Sequence, residues 1–389
     1  MKLVLKFSVI LFTLVYAIFS HENEKKCVIN GTVINSDTKS ILLMKPNQDL
    51  SNDSLIEIPV IKGKFHYETK LQNPEAVLLL LGEAKNGLGR IMELFLENET
   101  ITLTIYPEKD FDKNMVQGGK LNAEYKKFKQ NEKLKYISKI KQLNDSINVL
   151  NNTDKYDRET LLNLSSKRKL LEDKLKLIYA EHNEWKQKYI NENPTIVSYS
   201  FLLNELIYGK ETIDINLAKN NYDKLSKANP KHPYNELALN MINAIDNIKI
   251  GKNYVDFSAP DLNGNIVNLS DKIKGRIVLL DLWSTWCSPC IEKSRTMVPV
   301  YNEYKNKGFT IIGVGGESKN TDRLTKFLEK EKWPWLNLVE LDKQNKIWQK
   351  YSIGNGGGGG MFLIDDQGKI IAIDPTAEEV KKELEARLR

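Results

Sequence analysis

Cys287 and Cys290, separated by Ser288 and Pro289 in the stretch IVLLDLWSTWCSPCIEK, carry the strongest chemical signal in this sequence. Attack on a disulfide requires a thiolate. A helix N-terminus favours that anion through its dipole and its free N–H groups. The apolar run before the pair predicts a strand, and the residues after it predict a helix from roughly Cys287 to Lys305. Their i,i+3 spacing lets the second thiol reach the first, so a mixed disulfide on Cys287 can be resolved by Cys290. Pro289 suits the first helical turn, where a missing N–H costs nothing. Trp283 and Trp286 are expected to give the sulfurs apolar cover. Two cysteines make no tetrahedral zinc site, and no histidine follows His232, so neither a metal nor a cofactor is expected.

Strands and helices alternate around the pair from Gly251 onward. DFSAPDLNGNIVNL reads as a hairpin through Asn263-Gly264, followed by the strands IVLLDLW, FTIIGVG, LNLVEL and MFLID/KIIAI. Helices are expected between them, near Asn320–Lys332 and Lys343–Tyr351, and a last one over Glu378–Leu388. Such order implies a central sheet covered by helices. SAPDLNGNIVNLSD, the W-x-x-W-C-x-P-C core, GFTIIGV and FLIDDQGKII resemble the exported thioredoxin-like proteins of the TlpA/ResA type, which overlap in sequence with the thiol peroxidase superfamily. The resemblance implies a thioredoxin fold and disulfide exchange with Cys287 as the exposed nucleophile. It also places Asp281 where thioredoxins keep a buried acid, able to take the proton of the resolving thiol, Cys290. Family members often carry a glutamate three residues after the second cysteine. Here that position is Lys293, with Glu292 before it, and a cation there would favour thiolate.

Five consecutive glycines, Gly356 to Gly360, precede MFLID. Gly354, Gly356 and Gly359 satisfy G-x-G-x-x-G, but that motif needs a strand before it and a helix after it, and here the order is reversed. Nucleotide binding is therefore set aside. In thioredoxin folds a cis-proline lies just before this strand, facing the cysteines, and counting back from Phe362 puts it at Gly359. A non-proline cis bond costs about 2.5–4 kcal/mol, so the loop is expected to be trans and looser. With Ser288 and Pro289, the residues Gly358, Gly359 and Gly360 are expected to shape the site and let a substrate backbone come close.

The whole chain, 389 residues, divides into four by composition: 1–20, 21–118, 119–250 and 251–389. A basic start, MKLVLK, and the uncharged apolar run Phe7–Phe19 read as a signal peptide cleaved near Ser20, with an uncleaved anchor as the alternative. The β-rich second segment, with strands such as CVINGTVI, SILLMKP, AVLLLLG and ETITLTIYP, implies an antiparallel β-domain, read as a sandwich. FLENETITLTIYP and MVQGGKLNAEYKKF resemble a β-domain that often precedes thioredoxin modules in exported bacterial proteins. In the helical third segment Leu164, Leu171, Ile178 and Trp185 recur every seven residues, with Leu161, Leu175 and Tyr189 alongside. They mark one long amphipathic helix broken at Asn193-Pro194, its stripe packing within the chain or forming a homodimer seam. Shorter helices follow to Asn247.

With a net charge of +6 spread along the chain and no long basic block, nucleic acid is not an expected partner. The expected function is an exported thiol–disulfide oxidoreductase, periplasmic or in the cell envelope, acting on protein thiols and disulfides. The resemblance adds a membrane protein as electron donor. A thiol peroxidase is the alternative, although Ser284 and Leu280 stand where that superfamily keeps a threonine and a proline. A non-catalytic binding protein is the third reading, raised by Gly359 at the cis-proline position. Cys27 is read as incidental or as an intermolecular thiol.

Overall fold

A computed structural model describes residues 26–35, 37–48, 54–82, 90–151, 158–210, 212–354 and 358–388. The expected signal peptide and Gly356 and Gly357 lie outside these residues. Among them no helix is long and apolar enough to cross a membrane.

The N-terminal strands are β1 (Cys27–Val33), β2 (Ser40–Met44), β3 (Ile56–Pro59) and β4 (Lys64–Thr69). They continue as β5 (Glu75–Leu81), β6 (Met92–Leu96), β7 (Thr100–Ile105) and β8 (Met115–Gln117). They form two four-stranded sheets, ordered β4-β1-β7-β8 and β3-β2-β5-β6. Alternating apolar residues of both sheets, such as Ile29, Ile101 and Leu103 against Leu43, Val77 and Leu94, share one core. The expected sandwich is therefore present, with one departure from antiparallel order: β1 and β7 run parallel. Cys27 belongs to that shared core and is fully buried, which removes the intermolecular-thiol reading.

The helical segment holds α1 (Lys120–Glu132), a π turn (Lys133–Ile137), α2 (Ser138–Asn151) and α3 (Arg158–Glu192). It closes with α4 (Ile196–Tyr208), α5 (Ile215–Ala228) and α6 (Tyr234–Asn247). Asn193-Pro194 does break the long helix. The seven-residue stripe of α3 is half-buried, α3 packs against α2, and Trp185 and Tyr189 at its C-terminal end pack on the core of the helical segment. Buried hydrogen bonds fix the helices to the sandwich. Asn122 bonds both backbone groups of Phe95, and the Tyr234 hydroxyl accepts from Ala76 N at 2.8 Å. His232 Nδ1 accepts from Tyr234 N, so its Nε2 donates to Pro74 O at 2.9 Å, and burial holds the imidazole below its ordinary pKa.

In the C-terminal segment the hairpin is β9 (Ser258–Pro260) and β10 (Ile266–Asn268), followed by the short α7 (Leu269–Ile273). Next come β11 (Ile277–Trp283), α8 (Ser288–Tyr304), β12 (Phe309–Glu317), α9 (Asp322–Glu331) and β13 (Leu336–Leu341). The short α10 (Ile347–Lys350), β14 (Gly360–Ile364), β15 (Ile370–Ile373) and α11 (Ala377–Arg387) complete it. The sheet order is β13-β12-β11-β14-β15, with β11–β12 and β12–β13 parallel through helical crossovers and β14 antiparallel to β11. Central β11 is buried at every position, as its continuous apolar run requires. Its side chains alternate: Val278, Leu280 and Leu282 join one core, and Ile277, Leu279 and Trp283 join the other, beneath α8 and α11. Each such aliphatic side chain contributes about 1.5–3 kcal/mol on burial.

Candidate functional site

The two cysteines leave the end of β11 and open α8. Cys287 is its N-cap residue, with Pro289 in the first turn, and Cys290 N donates to Cys287 Sγ at 3.3 Å. The two sulfurs form a disulfide, and both residues are half-buried. An anion on Sγ at this helix end is stabilised by about 0.3–1 kcal/mol. Ser288 and Pro289 are exposed, and Trp286 is 44% exposed beside them. Trp283 departs from its expected role. As the last inward residue of β11 it is fully buried against Phe327 and Trp333, so it supports the site from within the core and does not cover the sulfurs.

The turn before Cys287 is held from both sides. Thr285 N donates to Glu317 Oε1 at 3.0 Å, Arg323 donates to Thr285 O at 3.3 Å, and Cys287 N donates to Ser284 O. Ser284 Oγ in turn donates to Gly358 O at 3.2 Å, which ties this turn to the glycine run.

Gly358 and Gly359 have steric reasons, whereas a Cβ on Gly360 would make only ordinary contacts of 3.5 Å. A Cβ on Gly358 would stand 2.2 Å from Cys287 Sγ and 3.1 Å from Cys290 Sγ, so bare backbone lies directly on the disulfide. A Cβ on Gly359 would meet Leu282 O at 1.7 Å, because antiparallel pairing of Gly360 with Leu282 draws the loop onto the end of β11. Among the described residues no peptide bond is cis.

Asp281 shares the inward face of β11 with Leu279 and Trp283, so it points beneath α8 and is only 1% exposed. Burial pushes its carboxyl up to about 7, against the opposing pull of a hydrogen bond from Ser294 and of the Lys293 charge. Ser294 Oγ lies 2.6 Å from Asp281 Oδ2. Lys293 does not stand as a free cation beside the thiols. Its ammonium donates to Asp374 O at 2.8 Å and pairs with Asp374 Oδ1, which also accepts from Met361 N. Ser294, Glu317, Arg323 and Asp374 were not foreseen as site residues. Only Ser294 left a signal, since position i+4 from Cys290 puts it on the same helix face. Among the described residues no group of three His, Cys, Asp or Glu side chains could hold a metal ion.

Comparison with known proteins covers two parts of the chain. Residues 250–373 match the AhpC/TSA family, and residues 27–125 match a domain of unknown function (DUF4369). The thiol-disulfide oxidoreductase ResA of Bacillus cereus is 35% identical over 147 residues, which are 37% of this chain and 79% of that protein. ResA of Geobacillus kaustophilus is 32% identical over 143 residues, covering 36% of this chain and 78% of that protein. A crystal structure of the thioredoxin domain of a thiol-disulfide oxidoreductase from Bacteroides vulgatus is 30% identical, with a TM-score of 0.33, covering 36% of this chain and 99% of that one.

Proposed function

This chain belongs to the ResA family of thiol–disulfide oxidoreductases, and we propose that it works by exchanging disulfides with exported protein substrates through Cys287 and Cys290. Its C-terminal segment has the thioredoxin fold, and its activity is thiol–disulfide oxidoreduction. The observation that carries the assignment of the site is the half-buried Cys287–Cys290 disulfide at the N-terminus of α8, faced by backbone alone at Gly358.

In the reduced enzyme the Cys287 thiolate attacks one sulfur of a substrate disulfide, and the other substrate sulfur leaves as thiolate. Cys290 then loses its proton to Asp281 and attacks Cys287 Sγ. The second substrate sulfur leaves with its electron pair, so the substrate gains two electrons and the enzyme disulfide is restored. Run backwards, the same intermediate oxidises a substrate dithiol. Ser288, Pro289, Trp286 and Gly358–Gly360 frame the groove in which the substrate chain is held.

The apolar run Phe7–Phe19 supports export to the periplasm or cell envelope, with cleavage near Ser20 and a membrane protein as electron donor. Leu170 and Leu177, one heptad apart on α3 and 55% and 65% exposed, support a homodimer through the helical segment. The peroxidase reading is not favoured: Ser284 binds the glycine loop and Leu280 is core.

A mixed-disulfide trap tests the proposal. Cys290→Ser, expressed in the export compartment of a bacterial host, is expected to accumulate protein adducts that collapse on reduction and vanish in Cys287→Ser/Cys290→Ser. No adducts, with Cys287 shown to be accessible to alkylation, would overturn it.

A further inference from the structure

Ser294 lies one helical turn after Cys290 on α8 and reaches the buried Asp281. Its hydroxyl is fully buried, carries one hydrogen and has two oxygens in reach: Asp281 Oδ2 at 2.6 Å and Cys290 O at 3.0 Å. A helical serine often returns to the carbonyl four residues back, and the bond to Cys290 O is of that kind. The bond to Asp281 is not. Its length is that of a hydroxyl donating to a carboxylate.

We propose that Ser294 is a positioning residue that keeps Asp281 hydrogen-bonded in both of its protonation states by turning its single hydrogen between Asp281 and the Cys290 carbonyl. While Asp281 is a carboxylate, the hydroxyl donates to it. When Cys290–SH gives up its proton and attacks Cys287 Sγ, Asp281 becomes the acid, donates to Ser294 Oγ, and the serine hydrogen swings to Cys290 O. The S–S bond between Cys287 and the substrate breaks, the Cys287–Cys290 bond forms, and the substrate thiolate carries away the electron pair. The proton stays on Asp281 until solvent takes it. A buried acid without such a partner would be left with an unsatisfied oxygen in one of the two states, which is costly away from water.

The other charges that face Asp281 come from two elements. Lys293 on α8 favours the carboxylate, and Asp374, after β15, opposes it. The strand partners of Asp281, Gly313 and Met361, carry no charge. Burial holds the carboxyl in the range where a thiol proton can be exchanged near neutral pH.

This inference rests on Asp281 being the proton acceptor, and the test separates the two. In the full-length reduced chain, the protonation midpoint of Asp281 is read from its carboxyl infrared band, assigned by its loss in Asp281→Asn. The resolution rate is followed across pH by release of a chromophoric aryl thiol from its mixed disulfide with Cys287. Ser294→Ala removes the bond in both states, but the charge-assisted bond to the carboxylate is about twice as strong as the one accepted from the acid, so both midpoints should rise by about one pH unit. Ser294→Thr, which keeps the hydroxyl, should bring them back. Ser294→Cys, a weak donor of similar size, gives a smaller rise of the infrared midpoint and replaces the alanine variant if that does not fold. Unchanged midpoints in folded Ser294→Ala or Ser294→Cys would overturn the proposal, whatever happens to the rate or to thermal stability. If Asp281→Asn itself leaves the pH profile of resolution unaltered, the role of Asp281 fails first and takes the inference with it.

Discussion

Cys27 lies in the core of the N-terminal sandwich, where burial pushes its thiol up to about 11, whereas Cys287 caps a helix beneath a strip of bare backbone. The side chain is the same in both places. In the sandwich it is one more apolar group among Ile29, Ile101 and Leu103, where burial and the nearby Glu97 and Glu75 charges outweigh a backbone hydrogen bond from Glu97. At α8 it meets a helix dipole, an amide donor from Cys290 and the bare backbone of Gly358. Reactivity thus follows the ground on which a thiol stands.

The contrast can be broken at several points. Cys287→Ser should abolish exchange, while Cys27→Ala should leave the rate unchanged; an insulin-reduction or dithiol-oxidation assay checks both. Asp281→Asn should slow resolution about a hundredfold near neutral pH. It should also alter stability in a set direction. With the folded carboxyl at about 7 and the unfolded one near its ordinary value of 3.8, the native chain binds the extra proton between roughly pH 4 and 7. Stability therefore falls as pH rises through that window. Denaturant titrations of the oxidised protein should show the fall reduced in Asp281→Asn, which should be the more stable of the two above pH 7.

Gly358→Ala is expected to have a smaller effect, because the new methyl overlaps Cys287 Sγ and the loop must shift. A roughly tenfold slower attack by Cys287, read by stopped-flow thiol release, is the expected outcome. Cys27→Ser sharpens the other side of the comparison. It places a hydroxyl in an apolar core and should cost about 1–3 kcal/mol of stability, measured by denaturation, with exchange untouched.

Much of this was legible in sequence because it depends on period and punctuation. The run IVLLDLW had to be a buried strand, the cysteines had to open the helix after it, and Asn193-Pro194 had to stop α3. Trp283 was misjudged because its direction depends on strand alternation relative to the sheet: counting inward from Leu279 and Asp281 puts it in the core. The β1–β7 pairing was hidden because strand direction is a matter of topology, and β-propensity says nothing of it. Lys293 was read alone, whereas its partner Asp374 lies 81 residues away along the chain. The reason for Gly358 was also out of reach, since it resides in the sulfur atoms that the fold brings against it.

A contact made of peptide groups alone has the same shape and the same donors and acceptors for every client. At Gly358 this protein therefore has nothing with which to spell a sequence preference. If a substrate chain is held against Gly358 as proposed, the means of telling one client from another lies in side chains, of which Trp286 is the exposed one beside the disulfide.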